Sequence, residues 1–160
     1  MSYAIHIRPA ARGDAPVLLD LIDALADYEK LPRPTAEARE RLMRDGFGDK
    51  SRFEVFLAEL DGQIVGYALI FEAYSSFLAL PTLYLEDIFV IPEGRGKGAG
   101  KALFEFCIRE ASRRGCGRME WTVLDWNKPA IEFYRRYGAH YLREWYLFRL
   151  TAEQLQRLAK

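Results

Sequence analysis

The sequence predicts an α+β fold of the α/β/α-sandwich kind, in which helices flank a mixed, mostly antiparallel twisted sheet. A hairpin is the first indication: residues 53–60 and 63–72 have strand character and meet at Asp61-Gly62, a dipeptide typical of two-residue β-turns. The second is one strand–glycine loop–helix–strand unit over residues 82–124, with no parallel unit before it. The third is a chain of 160 residues, 50% of them hydrophobic, which predicts a single domain over residues 1–160.

Periodicity and capping residues predict the remaining elements. Residues 5–8 form a first strand that stops at Pro9, and Asp14 caps a helix that ends near residues 28–30. Thr35 caps a second helix that reaches residue 44 and is broken by the glycines of residues 46–48. A short helix over residues 129–137, a last strand over 145–150 and a terminal helix over 151–159 complete the order.

The composition excludes several classes of protein. Lys plus Arg and Asp plus Glu number 23 each, so no basic excess points to nucleic acid or an anionic membrane. The sequence has no apolar run of the roughly 20 residues needed to span a bilayer, and residues 1–9 do not resemble a signal peptide. We therefore expect a cytoplasmic protein. Cys107 is expected in the core and Cys116 in a loop, and the Cys and His residues have no zinc-ligand spacing, so no metal is expected.

The glycine-rich residues 93–101 follow an apolar strand and open a helix, which is the arrangement that presents backbone N–H groups to a phosphate. A P-loop is excluded because Ala102 stands where Ser or Thr is needed and Arg95 where the first glycine belongs. A dinucleotide fingerprint is formally present, but the chain lacks a second parallel βαβ half. The acyl-CoA pattern R-x-x-G-x-G/A is met by Arg95, Gly98 and Gly100.

Over its full length the chain resembles the GNAT acetyltransferases, and within them the diamine (spermidine/spermine and thialysine) N-acetyltransferases. The motifs that carry the resemblance run from one end of the chain to the other: Ile7-Arg8-Pro9, Tyr28 to Leu31, Asp45 to Gly48, Tyr84 to Val90, Pro92 to Gly100, Val123 to Asn127, Phe133-Tyr134 and Gly138-Ala139. The resemblance implies a transferase that uses acetyl-CoA as co-substrate, and a homodimer.

It also implies which residues bind the cofactor. The backbone of Ile88, Phe89 and Val90 would pair with the pantetheine arm as an added strand. The pyrophosphate would lie on the glycine loop, at Arg95, Gly96, Lys97, Gly98, Ala99, Gly100 and Lys101. The pantetheine end would contact the start of the next helix, at Asn127, Lys128, Pro129 and Ala130.

Acetyl transfer to an amine needs a base for the ammonium proton and an acid for the departing thiolate. Glu86 interrupts an apolar strand, where a buried carboxylate is costly, and Asp87 should point to the opposite face. The resemblance implies that Glu86 takes the amine's proton through water and that Asp87 lines the amine site. It also implies that Tyr134 is the general acid, and a phenol with a pKa near 10 suits that role.

The acceptor is predicted to be a small basic amine. By resemblance, Tyr28, Glu29 and Trp145 line its site. Spermidine-type enzymes carry an acid and a tryptophan where this chain has Tyr74-Ser75-Ser76-Phe77, so a thialysine- or lysine-like amino acid or a diamine is favoured over spermine. A protein or peptide amine acetyltransferase, an oxidoreductase and a non-catalytic acyl-CoA-binding module stay open as alternatives.

Overall fold

The computed structural model describes residues 3–159, which form two compact units divided between Thr122 and Val123. The first unit holds most of the elements. Its strands are β1 (Ile5–Pro9), β2 (Glu54–Leu60), β3 (Gln63–Ser75), β4 (Leu80–Val90) and β5 (Arg118–Glu120), and its helices are α1 (Ala15–Glu29), α2 (Ala36–Phe47) and α3 (Ala99–Arg113). The second unit contains α4 (Lys128–Arg135) and α5 (Ala152–Leu158).

The five strands form one sheet in the order β1-β2-β3-β4-β5. The first three pairs are antiparallel and only β4 and β5 are parallel, which confirms the predicted mixed, mostly antiparallel sheet. The predicted hairpin is confirmed as well. Asp61 and Gly62 both have positive φ, 50° and 81°, as a two-residue turn between right-handed twisted strands requires.

Helices cover both faces of this sheet. Leu18 and Leu21 of α1 belong to a buried cluster with Val55 and Leu57 of β2. Phe56 lies between those two strand residues and therefore points to the other face, where its ring centre is 4.5 Å from that of Phe106 in α3. The predicted arrangement of helices on either side of the sheet is confirmed.

Helix α3 packs on the sheet through an apolar stripe of helical period. Its buried members are Ala99, Leu103, Phe104, Cys107 and Ala111. Cys107 has no exposed surface, as expected of a core thiol, and burial raises its pKa to about 12. Cys116 is partly buried, and both cysteines are free.

Arg8 joins the first two strands to the start of α1. Its guanidinium donates two hydrogen bonds to Asp14, of 2.8 and 2.9 Å, and one of 2.7 Å to Glu59. Asp14 occupies the predicted N-cap position of α1, but its carboxylate accepts from Arg8 and from the backbone N–H of Ala11 instead of capping the helix. Thr35 does cap α2, accepting from the N–H of Ala38.

Several predicted element boundaries are wrong, among them the following three. Helix α2 continues through Gly46, where a Cβ would lie 2.7 Å from the Phe53 ring, so this glycine permits close packing and does not stop the helix. Strand β3 extends to Ser75, beyond the predicted end at residue 72. Strand β5 ends at Glu120, short of the predicted residue 124.

The predicted last strand is also wrong. Residues 145–150 form neither helix nor strand, and the described part of the second unit contains no strand at all. The aromatic and branched side chains there have high β-propensity, but a strand exists only where a neighbouring strand satisfies its backbone groups. Helix α5 follows as predicted, capped by Thr151. Between residues 3 and 159 no helix is both long and apolar enough to cross a membrane.

Candidate functional site

A β-bulge on β4 lies at Glu86. The register pairs Leu69 with Asp87 and then Ile70 with Leu85, so Glu86 is an extra residue without a partner on β3. A bulge of this kind bends the strand and redirects a side chain, and bulges are frequent beside active sites. The side chain of Glu86 is exposed. The expectation of a buried carboxylate is therefore wrong for Glu86, and the bulge breaks the strict alternation expected for the two acids.

Asp87 is the less exposed acid of the pair, with a partly buried side chain. Its Oδ2 accepts a 3.0 Å hydrogen bond from the hydroxyl of Tyr67 in β3. Burial raises the pKa of Asp87 to about 6, although the bond from Tyr67 opposes that rise, and the negative charges of Glu86 and Glu29 add to it. A perturbed carboxyl beside other acids is typical of functional sites.

Glu29, at the end of α1, completes an acid cluster with Glu86 and Asp87. Burial and the charge of Glu86 both raise the pKa of Glu29. The pKa values of Glu29 and Asp87 are both raised, so a cation that enters beside them is stabilised, because a positive charge within a few ångströms favours the ionised form of each. The acid cluster is therefore suited to an ammonium group.

Tyr28 lies next to the acid cluster in sequence and contacts the glycine loop in space. Its ring centre is 6.1 Å from that of Phe89 in β4. The guanidinium carbon of Arg95 lies 5.1 Å from the Tyr28 ring centre and 5.5 Å from that of Phe89, and Arg95 Nε donates to the Val90 carbonyl at 2.9 Å. The charge of Arg95 is thus held against two aromatic rings at the end of β4.

The glycine loop has the features needed to bind an anion through its backbone. Gly96 and Gly98 have positive φ, 72° and 94°, and a Cβ at Gly96 would meet nothing within 4 Å, so this position is open. Gly98 is the N-cap of α3 and provides no side-chain cap, which leaves the first N–H groups of this helix available to a phosphate. The loop fits the pyrophosphate of an acyl-CoA.

The residues around the loop have distinct positions. Ala99 is buried, so only its backbone is available for binding. A Cβ on Gly100 would meet the Val90 side chain at ordinary contact distance. Lys97 lies over the Tyr3 ring, with Nζ 5.5 Å from its centre, and Lys101 Nζ is 3.8 Å from a Glu105 carboxylate oxygen on the next turn.

Within residues 3–159, strand β4 has a partner strand on only one side in its C-terminal part. Parallel pairing with β5 covers only Thr82 to Tyr84, while Ile88, Phe89 and Val90 pair on their other side with Ala68, Tyr67 and Gly66 of β3. Among the described residues no strand adds to the free edge of these three positions. An extended, amide-bearing arm such as pantetheine fits there as an added strand.

The remaining predicted site residues belong to the second unit. Asn127 is the N-cap of α4, where its Oδ1 accepts from the N–H of Ala130 at 3.4 Å, and Lys128 and Pro129 form the first turn. Tyr134 is partly buried on α4, and its ring contacts that of Phe133 edge to face at 5.5 Å. Trp145 is 75% exposed and lies outside any strand.

Tyr67 was not identified from the sequence, and Ser75 was noted there without a structural role. Tyr67 is fully buried, and its signal is a phenol in an otherwise apolar strand, which needs a hydrogen-bond partner. Ser75, noted only as the replacement for an acid, is 3% exposed, and its Oγ accepts from the N–H of Leu78 in the β3–β4 turn. Ser75 therefore stabilises the turn and brings no charge.

An open β4 edge beside an uncapped, glycine-lined helix start defines a class of proteins that bind acyl-CoA as an added strand with its pyrophosphate on the helix. The chain belongs to the GNAT acetyltransferase family: the family model "Acetyltransferase (GNAT) family" matches residues 18–139. It is accordingly an acetyltransferase with acetyl-CoA as its donor.

Individual proteins agree with this membership. The chain is 37% identical to thialysine N-epsilon-acetyltransferase of Bos taurus over 97% of both chains. It is 34% identical to spermidine/spermine N(1)-acetyltransferase-like protein 1 of Homo sapiens, over 99% of this chain and 24% of that protein. Among solved structures, an integron cassette protein of V. cholerae superposes with a TM-score of 0.79 at 25% identity, over 100% of this chain and 99% of that one.

Proposed function

We propose that this enzyme acetylates a primary amine of a short basic acceptor, a thialysine- or lysine-like amino acid or a diamine. The observation that carries the proposal is the acid cluster of Glu29, Glu86 and Asp87, whose mutual charge interactions suit an ammonium group. Similarity to enzymes named for thialysine and for spermidine/spermine supports an acceptor of this chemistry. Tyr28 contributes an aromatic face near the acids, and Trp145 is proposed as a further aromatic contact for the cation.

The amine must lose a proton before it attacks. A lysine-like amine has a pKa near 10.4, so about one molecule in a thousand is neutral at pH 7.4. We assign the base to Glu86, and its exposure supports a route through water. The ammonium first gives one proton by way of water to Glu86, and the neutral amine nitrogen then attacks the thioester carbonyl directly. As the carbon–sulfur bond breaks and the amide forms, the nitrogen releases its second proton to solvent.

The leaving thiolate needs a proton, and we assign this step to Tyr134. A phenol can donate its proton to the thiolate and recover one from solvent. The resemblance of the motif around Phe133-Tyr134 carries this assignment. The backbone of Ile88 to Val90, the glycine loop and the residues Asn127 to Ala130 are proposed to hold the cofactor.

Ser75 favours acceptors with one or two closely spaced charges. A long polyamine brings a second ammonium far from the first, and an acid there would stabilise it by charge pairing. At this position the chain has a buried, neutral hydroxyl committed to a turn. Spermidine and spermine should therefore bind more weakly than diamines of the same amine chemistry.

A screen of acceptors tests the proposed function. CoA thiol release from acetyl-CoA is measured with thialysine, lysine, ornithine, putrescine, spermidine and a lysine-containing peptide. We expect the highest kcat/KM among the first four. A clear preference for spermidine would contradict the role of Ser75, and turnover confined to the peptide would replace the proposal with protein acetylation.

We also propose that the enzyme is a cytoplasmic homodimer. Two free cysteines are consistent with a reducing compartment. The extended segment of the second unit exposes large apolar side chains that a partner copy would cover: Tyr141, Leu142, Trp145, Tyr146, Leu147, Phe148 and Leu150. Light scattering on the purified protein should give twice the 18.5 kDa chain mass, and a stable monomer would contradict the dimer.

A further inference from the structure

Tyr67 brings a buried phenol against the acid cluster. The side chain has no exposed surface, and its hydroxyl donates to Oδ2 of Asp87 over 20 positions of sequence. A phenylalanine would fill nearly the same space in this core. The hydroxyl is therefore not needed for packing, and its free-energy contribution depends on the carboxylate that it contacts.

The groups around Asp87 act on its charge in opposite directions. Glu29 on α1 and Glu86 on β4 bring negative charge, and burial removes the carboxylate from water; all three favour the protonated acid. Tyr67 on β3 favours the ionised form by donating a hydrogen bond. Without this bond, a larger fraction of Asp87 would be protonated at the pH at which the enzyme works. A protonated Asp87 cannot form an ion pair with a cation.

We propose that Tyr67 is a positioning residue of the acceptor site: its hydroxyl keeps Asp87 ionised and fixed, so that this carboxylate receives the ammonium group of the acceptor. The proposal rests on the proposed function, because it names the residue that organises the same amine site. A carboxylate has about four lone-pair positions, and the phenol takes one, so acceptor capacity is left for an ammonium group.

Tyr67 itself does not exchange protons in this role. Burial and the charge of Asp87 raise the pKa of Tyr67 above its ordinary value, so the hydroxyl stays protonated and remains a donor throughout the pH range of the reaction. This separates Tyr67 from a general acid and makes its effect visible through the titration of Asp87.

The Tyr67→Phe variant tests the inference. We expect KM for the acceptor to rise about tenfold, and the rising limb of kcat/KM against pH to move up by roughly one pH unit, the size expected when a carboxylate loses one hydrogen bond. KM for acetyl-CoA should not change. Tyr84→Phe is the matched control, since Tyr84 lies on β4 and packs on Phe71, and its profile should stay where it is. An unmoved limb with unchanged acceptor KM in Tyr67→Phe would overturn the proposal.

The Asp87→Asn background separates positioning from packing. If Tyr67 acts through the carboxylate, Tyr67→Phe adds no further loss of acceptor KM once Asp87 is neutral. An undiminished, additive loss would mean that Tyr67 contributes through the core and would refute the positioning role.

A titration without turnover distinguishes failure of the inference from failure of the proposed function. The carboxyl carbon of Asp87, followed by NMR, should titrate at higher pH in Tyr67→Phe than in the wild type, whether or not any amine is acetylated. Addition of putrescine to the wild type should lower the Asp87 pKa. This second measurement needs no variant, so it remains informative if Tyr67→Phe does not fold. An Asp87 titration unchanged by putrescine would contradict ammonium binding at this carboxylate.

Discussion

The guanidinium group of Arg95 lies over the ring of Tyr28, with 5.1 Å between the guanidinium carbon and the ring centre. This contact connects the glycine loop before α3 with the end of α1, where Glu29 begins the acid cluster. The loop proposed to bind the cofactor and the proposed acceptor side of the site therefore share one side-chain contact. Arg95 also donates to the Val90 carbonyl, so its position is fixed at the end of β4.

The contact should appear as an energetic coupling. In a double-mutant cycle of Arg95→Ala and Tyr28→Leu, measured by urea unfolding, we expect a coupling of about 0.5–1 kcal/mol. Lys97 supplies the control because it lies over Tyr3, so Lys97→Ala and Tyr28→Leu should be additive. A coupling of zero for the Arg95 pair would mean that the contact contributes nothing to stability.

Backbone conformation should limit substitution in the glycine loop. Gly96 and Gly13 both have open space where a Cβ would lie, but only Gly96 has positive φ, at 72°. Gly96→Ala should lose about 1 kcal/mol of unfolding free energy and bind acetyl-CoA more weakly, because an L-residue disfavours this conformation. Gly13→Ala should show neither effect. Equal acetyl-CoA affinities in calorimetry would contradict a role for the loop conformation.

The partly buried Asp87 should cost stability when it is ionised. A carboxyl whose folded pKa is raised from 3.8 to about 6 stabilises the fold fully below pH 3.8 and loses that contribution as pH rises through 6. Asp87→Asn should therefore raise the unfolding free energy at pH 8 by roughly 1–3 kcal/mol while weakening acceptor binding, and the gain should vanish near pH 4. Denaturant unfolding at both pH values checks this, and a loss of stability at pH 8 would contradict it.

Substitution of the proposed general acid, Tyr134, should affect turnover and leave cofactor binding intact. Tyr134→Phe is expected to lower kcat by about 10²–10⁴-fold, the usual contribution of acid–base catalysis, with unchanged acetyl-CoA affinity. Tyr137→Phe changes another tyrosine close by in the second unit, whose ring contacts Phe133, and should leave kcat unaltered. Equal turnover of the two variants would remove Tyr134 from the mechanism.

Local chemistry predicted the elements that depend on local interactions. Asp61-Gly62 specifies its turn through the backbone freedom of two residues, and Thr35 caps its helix through one hydroxyl. The helix end predicted at Gly46 was wrong. A glycine is needed there because the Phe53 ring packs against it, and only the folded chain brings that ring close. The strand predicted at residues 145–150 failed for a similar reason, since propensity does not supply a partner strand.

The predictions about the candidate site succeeded or failed for the same reasons. The glycine loop was recognisable because the anion site that it is proposed to form consists of consecutive backbone groups. The bulge at Glu86 depends on the register against β3, and the bond between Tyr67 and Asp87 joins residues 20 positions apart, so neither can be derived from spacing along one strand. Spacing alone predicted the buried acid at Glu86, whereas the bulge leaves Glu86 exposed and Asp87 partly buried.

The most direct test of whether the acid cluster receives a cationic amine and its proton compares Glu86→Gln with the wild type. The quantity measured is the pH dependence of kcat/KM for the best of the short acceptors. We predict a loss of at least about 10²-fold at neutral pH with a changed rising limb and unchanged KM for acetyl-CoA, while Glu40→Gln on α2 behaves as wild type. A Glu86→Gln enzyme with wild-type turnover and an identical profile would contradict the account.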